Sequence, residues 1–275
     1  MAKRRQQIER LPKAPLAEVV FELRWKLHGT PDTPDLLKID PGLVPLLEAF
    51  TAGMKRHGYD FFRDMSPPFQ TGAYGVARRF FKSPDNPFPI MQVGPGIFAT
   101  NESSLYEWNA FKAQISVGLR TLFDSYPKIT FFKLEPNLVE LRYIDAFDKS
   151  LLGTVALLDF LDRGTSVKLQ LPKILKDEKL FSGEAAGRIA LWRGLKGWKS
   201  SRLSLDIGTG KKGGSEDIVR SETKVQSDGV GVPVLKNPGK FMRELDHWLE
   251  FAHGLTRPFF KELVLPDLMQ KFEEP

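Results

Sequence analysis

Alternation of apolar and polar residues is the clearest local pattern in the chain. It runs from Glu18 to Leu27 and again over 138–144, where Val139, Leu141 and Tyr143 share one side. Alternation with a period of two is typical of a strand with one buried face. We therefore predict strands over both segments.

Shorter apolar segments predict further strands, at 72–82, 90–100, 167–171, 188–195, 202–207 and 217–225. The last three are separated by the turns 196–201 and 208–215, which predicts an antiparallel meander. The glycines on either side of Pro95 predict a bulge or bend within the segment 90–100.

Three segments have helical periodicity, namely 42–57, 101–126 and 237–264. Ser104 and Glu107 have the spacing of a capping box at the start of the second. Asn237 and Pro238 are a favourable N-cap and first-turn pair for the third, in which Pro258 predicts a kink before Pro266 ends the helix.

The two long helices share a pattern of large apolar residues at a constant offset of 140. Trp108, Phe111, Ile115, Leu119 and Phe123 correspond in this way to Trp248, Phe251, Leu255, Phe259 and Leu263. An internal duplication explains the match, although two unrelated amphipathic helices can also share such spacing. We predict an α+β protein of two mixed halves, each an antiparallel sheet covered by one long helix. The expected divisions are a basic arm (1–13), an N-terminal half (14–150) and a C-terminal half (151–275).

The composition excludes several kinds of chemistry. With 41% apolar and 27% charged residues, the 275-residue chain has the profile of a folded protein. The absence of cysteine excludes disulfides, thiol nucleophiles, thiolate zinc sites and iron–sulfur clusters. No long apolar run is present, so we expect a cytoplasmic protein with neither a secretory signal nor a membrane span.

The net charge of +6 is concentrated in two places. Residues 1–13 sum to +4, residues 187–214 to +6, and the remainder of the chain to −4. We expect the arm, which includes Arg4 and Arg5, to be disordered; the alternative is an arm that binds an acidic partner or nucleic acid.

The second basic region mixes cationic and aromatic side chains, the combination that binds phosphates and stacks on bases. The candidate polyanion-binding residues are Arg188, Arg193, Lys196, Trp198, Lys199, Arg202, Lys211 and Lys212, together with Arg4 and Arg5 of the arm. The alternative is a basic hairpin with Trp192 in the core.

Other candidate sites are weaker. His247, Glu250 and His253 lie one turn apart on the last helix, but the two histidines are about 120° apart around its axis, so His253 is expected to face solvent. The segment 208–215 lacks the lysine of a phosphate-binding loop and is predicted to be a hairpin tip. We therefore predict no metal and no cofactor, and the sequence identifies no catalytic residue.

Three sequence stretches carry a resemblance that covers most of the chain. They are PLAEVVFELRW from Pro15, QVGPGIFATN from Gln92 with the following YEW and Phe111, and the WLEFAH segment from Trp248. Together they resemble a sporadically distributed bacterial protein family of unknown function. The resemblance implies a cytosolic protein of two mixed halves. The patchy occurrence of that family points to mobile or phage-defence gene clusters, in which such proteins act with a neighbouring gene product.

These observations favour a non-enzymatic module that binds another protein, encoded nearby. The alternative is an accessory protein that binds nucleic acid through residues 188–214 and the arm.

Overall fold

The computed structural model describes residues 13–29, 32–34, 38–65, 76–103, 106–128, 132–153, 156–170 and 187–273. The candidate residues Arg4 and Arg5 and the predicted cap residue Ser104 lie outside these ranges. Within them the fold is mixed α+β, as predicted.

Nine antiparallel strands of the described residues form one continuous sheet. They are β1 (Leu16–Trp25), β2 (Phe61–Met65), β3 (Ala77–Phe81), β4 (Ile90–Gly94), β5 (Ile97–Glu102), β6 (Pro136–Phe147), β7 (Arg188–Gly194), β8 (Ser201–Lys212) and β9 (Glu216–Asp228). Their order across the sheet is β2-β3-β4-β5-β1-β6-β9-β8-β7. The prediction of two separate sheets is wrong, because β1 pairs with β6 and places Phe21 opposite Leu141.

Six α-helices of the described residues flank this sheet: α1 (Leu43–Lys55), α2 (Trp108–Ser125), α3 (Lys149–Leu152), α4 (Leu157–Asp159), α5 (Pro238–Leu263) and α6 (Pro266–Glu273). Buried residues of α1, α2 and α5 form one hydrophobic cluster with the odd-numbered apolar residues of β1, such as Phe21 and Leu23. A second cluster joins Phe147 of β6 and Ile207 of β8 to α4, α6 and the end of α5. The helices therefore cover one face of the sheet.

The opposite face carries Glu22, Glu140 and Trp192, and no helix of the described residues packs on it. We call it the helix-free face. Among the helices described, none is long and apolar enough to cross a membrane.

The segment 90–100 is a hairpin and not one bent strand. β4 and β5 pair, with Gly94 opposite Ile97, so Pro95 and Gly96 form a two-residue turn. Gly96 has φ +66°, a conformation that glycine adopts without strain. Its N–H lies 3.4 Å from Oδ2 of Asp40, which also accepts a hydrogen bond from the indole of Trp25 at 2.8 Å.

Other boundaries also differ from the predictions. α2 begins at Trp108, since residues 101 and 102 belong to β5, and the side chain of Glu107 caps the helix by accepting from the N–H groups of Asn109 and Ala110. Residues 167–170 are not a strand. At the last long helix the predicted cap is confirmed, because Oδ1 of Asn237 accepts from the N–H of Lys240 at 3.1 Å.

The positions of α2 and α5 do not support structural equivalence between residues that are 140 positions apart. Trp108 is the first residue of α2, whereas Trp248 lies well inside α5. The strand order does have a symmetric feature: β1 and β6 lie side by side, and each pairs on its other side with the strand that precedes a long helix.

Candidate functional site

The basic region 187–214 forms one edge of the sheet. β7 is the outermost strand and pairs only with β8 among the described strands. All its residues except Ile189 are exposed, including Leu191 at 52% and Trp192 at 74%. Edge strands with large exposed apolar side chains are unusual, because an open edge invites pairing with another chain.

The two tryptophans of this region have opposite roles from those expected. Trp192, which one interpretation placed in the core, is exposed on the helix-free face. Trp198, a predicted binding residue, is half-buried: its indole N–H donates to the carbonyl of Gly231 at 2.7 Å, and its ring packs on Phe251 of α5 with centroids 5.7 Å apart. Its indole therefore anchors the β7–β8 turn to the fold.

Ion pairs divide the candidate cations into two groups. Arg188 forms a bidentate pair with Asp206, Lys211 pairs with Asp217 at 2.6 Å, and Lys212 contacts Asp148 at 3.3 Å. The second group is exposed and makes no ion pair with any described residue: Arg193, Lys196, Lys199 and Arg202. The free positive charge therefore gathers at β7 and its turn, away from the hairpin tip.

A shallow groove of about 340 Å³ lies on the helix-free face beside this edge. The small side chains of Ala190 and Ser204 line it together with Trp192, Arg202 and Lys224. The carboxylates of Asp206 and Glu222 also line it, and each is paired with an arginine. An indole face and a free guanidinium next to such a groove can contact a planar anionic group.

The hairpin between β8 and β9 is confirmed as a turn, but it is shorter than predicted. The strands continue to Lys212 and restart at Glu216, and Gly213 and Gly214 have φ +60° and +82°. A strand follows the turn, whereas a phosphate-binding loop requires a helix there.

Charged side chains also fill the centre of the helix-free face. Arg142 lies 3.7 Å from Glu22, 3.3 Å from Glu140 and 4.0 Å from Glu222, measured between nitrogen and carboxylate oxygen. The three glutamates are less than 10% exposed, and burial raises the pKa of Glu140. The Arg142 guanidinium thus lies among three carboxylates from three neighbouring strands. Each carboxylate also contacts a second cation: Glu22 contacts Arg24, Glu140 contacts Lys224, and Glu222 contacts Arg220.

The three candidate metal ligands are not brought together, and no cluster of the described residues could hold a metal ion. His247 is exposed. Glu250 accepts hydrogen bonds from Lys112 at 2.5 Å and from the indole of Trp108 at 3.2 Å. His253 points into the structure, which corrects its predicted exposure.

His253 belongs instead to a row of polar side chains between α5 and the sheet. Its Nδ1 lies 2.8 Å from the hydroxyl of Tyr143, which lies 2.8 Å from the hydroxyl of Tyr106. Burial lowers the pKa of His253 to about 4. Sequence patterns missed this row because Tyr143 and His253 are 110 positions apart.

Asp145 is a second buried group beneath the helices. It is 4% exposed and pairs across the sheet with Ser221. Burial raises the pKa of this carboxyl to about 7. Both His253 and Asp145 are therefore held toward their neutral forms by the interior.

Comparisons of this chain with protein-family models, with curated proteins and with solved structures found no match.

Proposed function

We propose that the protein is a non-enzymatic interaction module that binds a partner protein at β7. The observation that carries the proposal is the exposure of Leu191 and Trp192 on opposite faces of one edge strand. Burial of a tryptophan and a leucine side chain against a partner contributes several kcal/mol, about 1.5–3 for each fully buried side chain. Tryptophan is also enriched among the residues that dominate binding energies.

The charges around β7 support the same surface. Arg193, Lys196 and Lys199 have no carboxylate partner among the described residues. They favour an acidic partner and would accelerate its association at low salt.

The experiment is affinity purification of the tagged full chain from its native host, with quantification of co-purified proteins. The variant Leu191→Ser with Trp192→Ser removes the two exposed side chains. Val230→Ser with Val234→Ser is the matched control, because these valines are 82% and 61% exposed outside β7. A partner retained by the control and lost with the β7 variant supports the proposal. A protein that the wild type and both variants retain equally contradicts it, and so does the absence of any protein co-purified with the wild type.

Nucleic-acid binding is the second candidate, and the groove beside Trp192 and Arg202 favours it. Fluorescence anisotropy with labelled dT20 and a mixed RNA 20-mer at two salt concentrations tests it. Lys196→Gln with Lys199→Gln should weaken binding several-fold, whereas Lys211→Gln with Lys212→Gln removes equal charge from lysines already paired. Binding that is absent at low salt, or insensitive to salt, would exclude this function.

Two wider proposals concern the partner's gene and the origin of the fold. The family resemblance supports a partner encoded nearby, within a mobile-element or phage-defence system. The strand order on either side of the β1–β6 pair supports an internal duplication as the origin of the two halves.

A further inference from the structure

We propose that β7 binds its partner by strand addition, in which an extended, acidic and apolar segment of the partner becomes a tenth strand of the sheet. This inference rests on the proposed function, because it specifies how the partner is bound. Main-chain hydrogen bonds supply affinity in this mode, and alternate side chains supply specificity.

Two hydrogen bonds fix the orientation of the β7 backbone. The N–H of Leu195 donates to the carbonyl of Ser201 at 2.8 Å, and the N–H of Thr209 donates to the carbonyl of Gly187 at 3.3 Å. Bonded and non-bonded pairs alternate along an antiparallel ladder. The odd-numbered residues of β7 therefore bond to β8, and the even-numbered ones direct N–H and C=O groups to the outer edge: Arg188, Ala190, Trp192 and Gly194.

The outer edge offers this main-chain template over a useful length. β7 has seven residues, and no described strand pairs with its outer side. The other edge of the sheet, β2, has only five residues. Its Phe61 and Phe62 are less exposed than Leu191 and Trp192, at 44% each. Asp64 is held by Arg78 in a bidentate contact, which leaves Arg63 as the one charged side chain of β2 without an ion pair to a described residue.

Side chains determine the chemistry of the added strand. Leu191 and Trp192 project to opposite faces, so an added strand meets one apolar side chain on each face. The unpaired Arg193, Lys196 and Lys199 lie at one end of β7 and favour carboxylates on the partner. A second copy of this chain is disfavoured, because β7 contains no acidic residue that could meet the unpaired cations of the first copy.

The test is selection of displayed random octapeptides on the immobilised full chain, followed by measurement of Kd with the synthetic peptides. Ala190→Pro removes an outward N–H without removing a bond to β8, and proline is tolerated at such edge positions. Ala190→Val is the matched control, because it adds bulk and keeps the N–H. We expect peptides with two neighbouring apolar residues and with acidic residues toward one end, whose Kd rises at least tenfold in the proline variant and less than threefold in the valine variant.

A second measurement does not depend on the proline variant folding. In the wild-type chain, a bound peptide should slow amide hydrogen exchange at Ala190 and Trp192 at least tenfold. Equal affinity for both variants, no protection at these amides, or an empty selection would overturn strand addition.

A partner lost with Leu191→Ser/Trp192→Ser in the purification experiment would still support the proposed function. Binding of dT20 unaffected by Ala190→Pro, with no peptide selected, would favour nucleic acid, and dimerisation of the chain through β7 would identify a second copy as the occupant.

Discussion

The imidazole of His253 lies flat on the indole of Trp108, with ring centroids 4.0 Å apart and planes 13° from parallel. The stack joins α5 to the first residue of α2. Because the hydroxyl of Tyr143 is bonded to the same imidazole, one histidine links both long helices to the centre of the sheet.

We predict that this histidine makes the stability of the protein depend on pH. Its pKa is lowered from 6.5 to about 4 in the fold, so the unfolded chain takes up its proton first as pH falls. The contribution is complete above pH 6.5 and is lost between pH 6.5 and 4, with about 2 kcal/mol lost from pH 7 to pH 5. His253→Gln should remove this slope from the free energy of unfolding measured with urea. A variant that keeps the wild-type slope would show that His253 is not held neutral.

Asp145 should produce the opposite slope. Its pKa is raised from 3.8 to about 7 in the fold, so the unfolded chain releases its proton first as pH rises. The free energy of unfolding therefore falls by about 2 kcal/mol from pH 5 to pH 7 through this group.

Asp145→Asn should consequently be more stable than the wild type at pH 8, and the difference should shrink toward pH 4. The two slopes nearly cancel in the wild-type protein between pH 5 and 7. Urea unfolding of both single variants and the double variant over this range checks this cancellation. Lower stability of Asp145→Asn than of the wild type at pH 8 would show that burial does not disfavour the charged form of Asp145.

The glutamates around Arg142 predict a different pH response. Arg142→Met removes the guanidinium shared by the three glutamates and leaves Glu140 with Lys224, at 3.5 Å, as its cationic partner among the described residues. Because the other two glutamates keep closer arginine partners, the change should cost about 2 kcal/mol at pH 7. Part of this loss should be recovered at pH 5, because protonation removes the repulsion. Arg202→Met on the same face is the control and should change stability by less than about 0.5 kcal/mol. Similar losses in both variants at both pH values would exclude this account.

Gly96→Ala should destabilise the protein for two reasons. The residue has φ +66°, and a Cβ would lie 2.9 Å from Cδ2 of Leu27 and 3.1 Å from the carbonyl of Trp25. Backbone strain and the clash together should cost about 2 kcal/mol or more. Gly58→Ala provides the control, since Gly58 has φ +77° with open space around its Cβ position. It should cost about 1 kcal/mol, and equal thermal shifts in both variants would refute the contribution of the clash.

Local patterns predicted the elements whose burial is regular. β1 and β6 alternate, and α2 and α5 carry apolar residues at helical spacing, so each bears its own signal. β2 was missed because Phe61 and Phe62 are adjacent and project to opposite faces, which breaks the alternation. The single sheet was missed because no local pattern records that β1 pairs with a strand more than a hundred residues away.

The candidate site was predicted by composition and not by geometry. Charge counting identified the region 187–214, but it could not distinguish Lys199, which is unpaired, from Lys211, which is paired with Asp217. Nor could it distinguish Trp192 from Trp198, because their environments depend on which one meets α5. The sequence RIALWR (188–193) did carry one signal. Each of its two faces includes an arginine, so neither face is wholly apolar and exposure of both faces could have been predicted.

The pairing of β1 with β6 has a consequence for synthesis of the chain. Residues 16–25 leave the ribosome long before residues 136–147, so β1 can pair first only with β5. Its other edge must then wait for β6, and β6 in turn for β9. Contacts so distant along the chain slow folding and expose nascent edges to aggregation. Chains interrupted between residues 103 and 135 would keep that central edge open, and they are the fragments most exposed to misassembly and degradation.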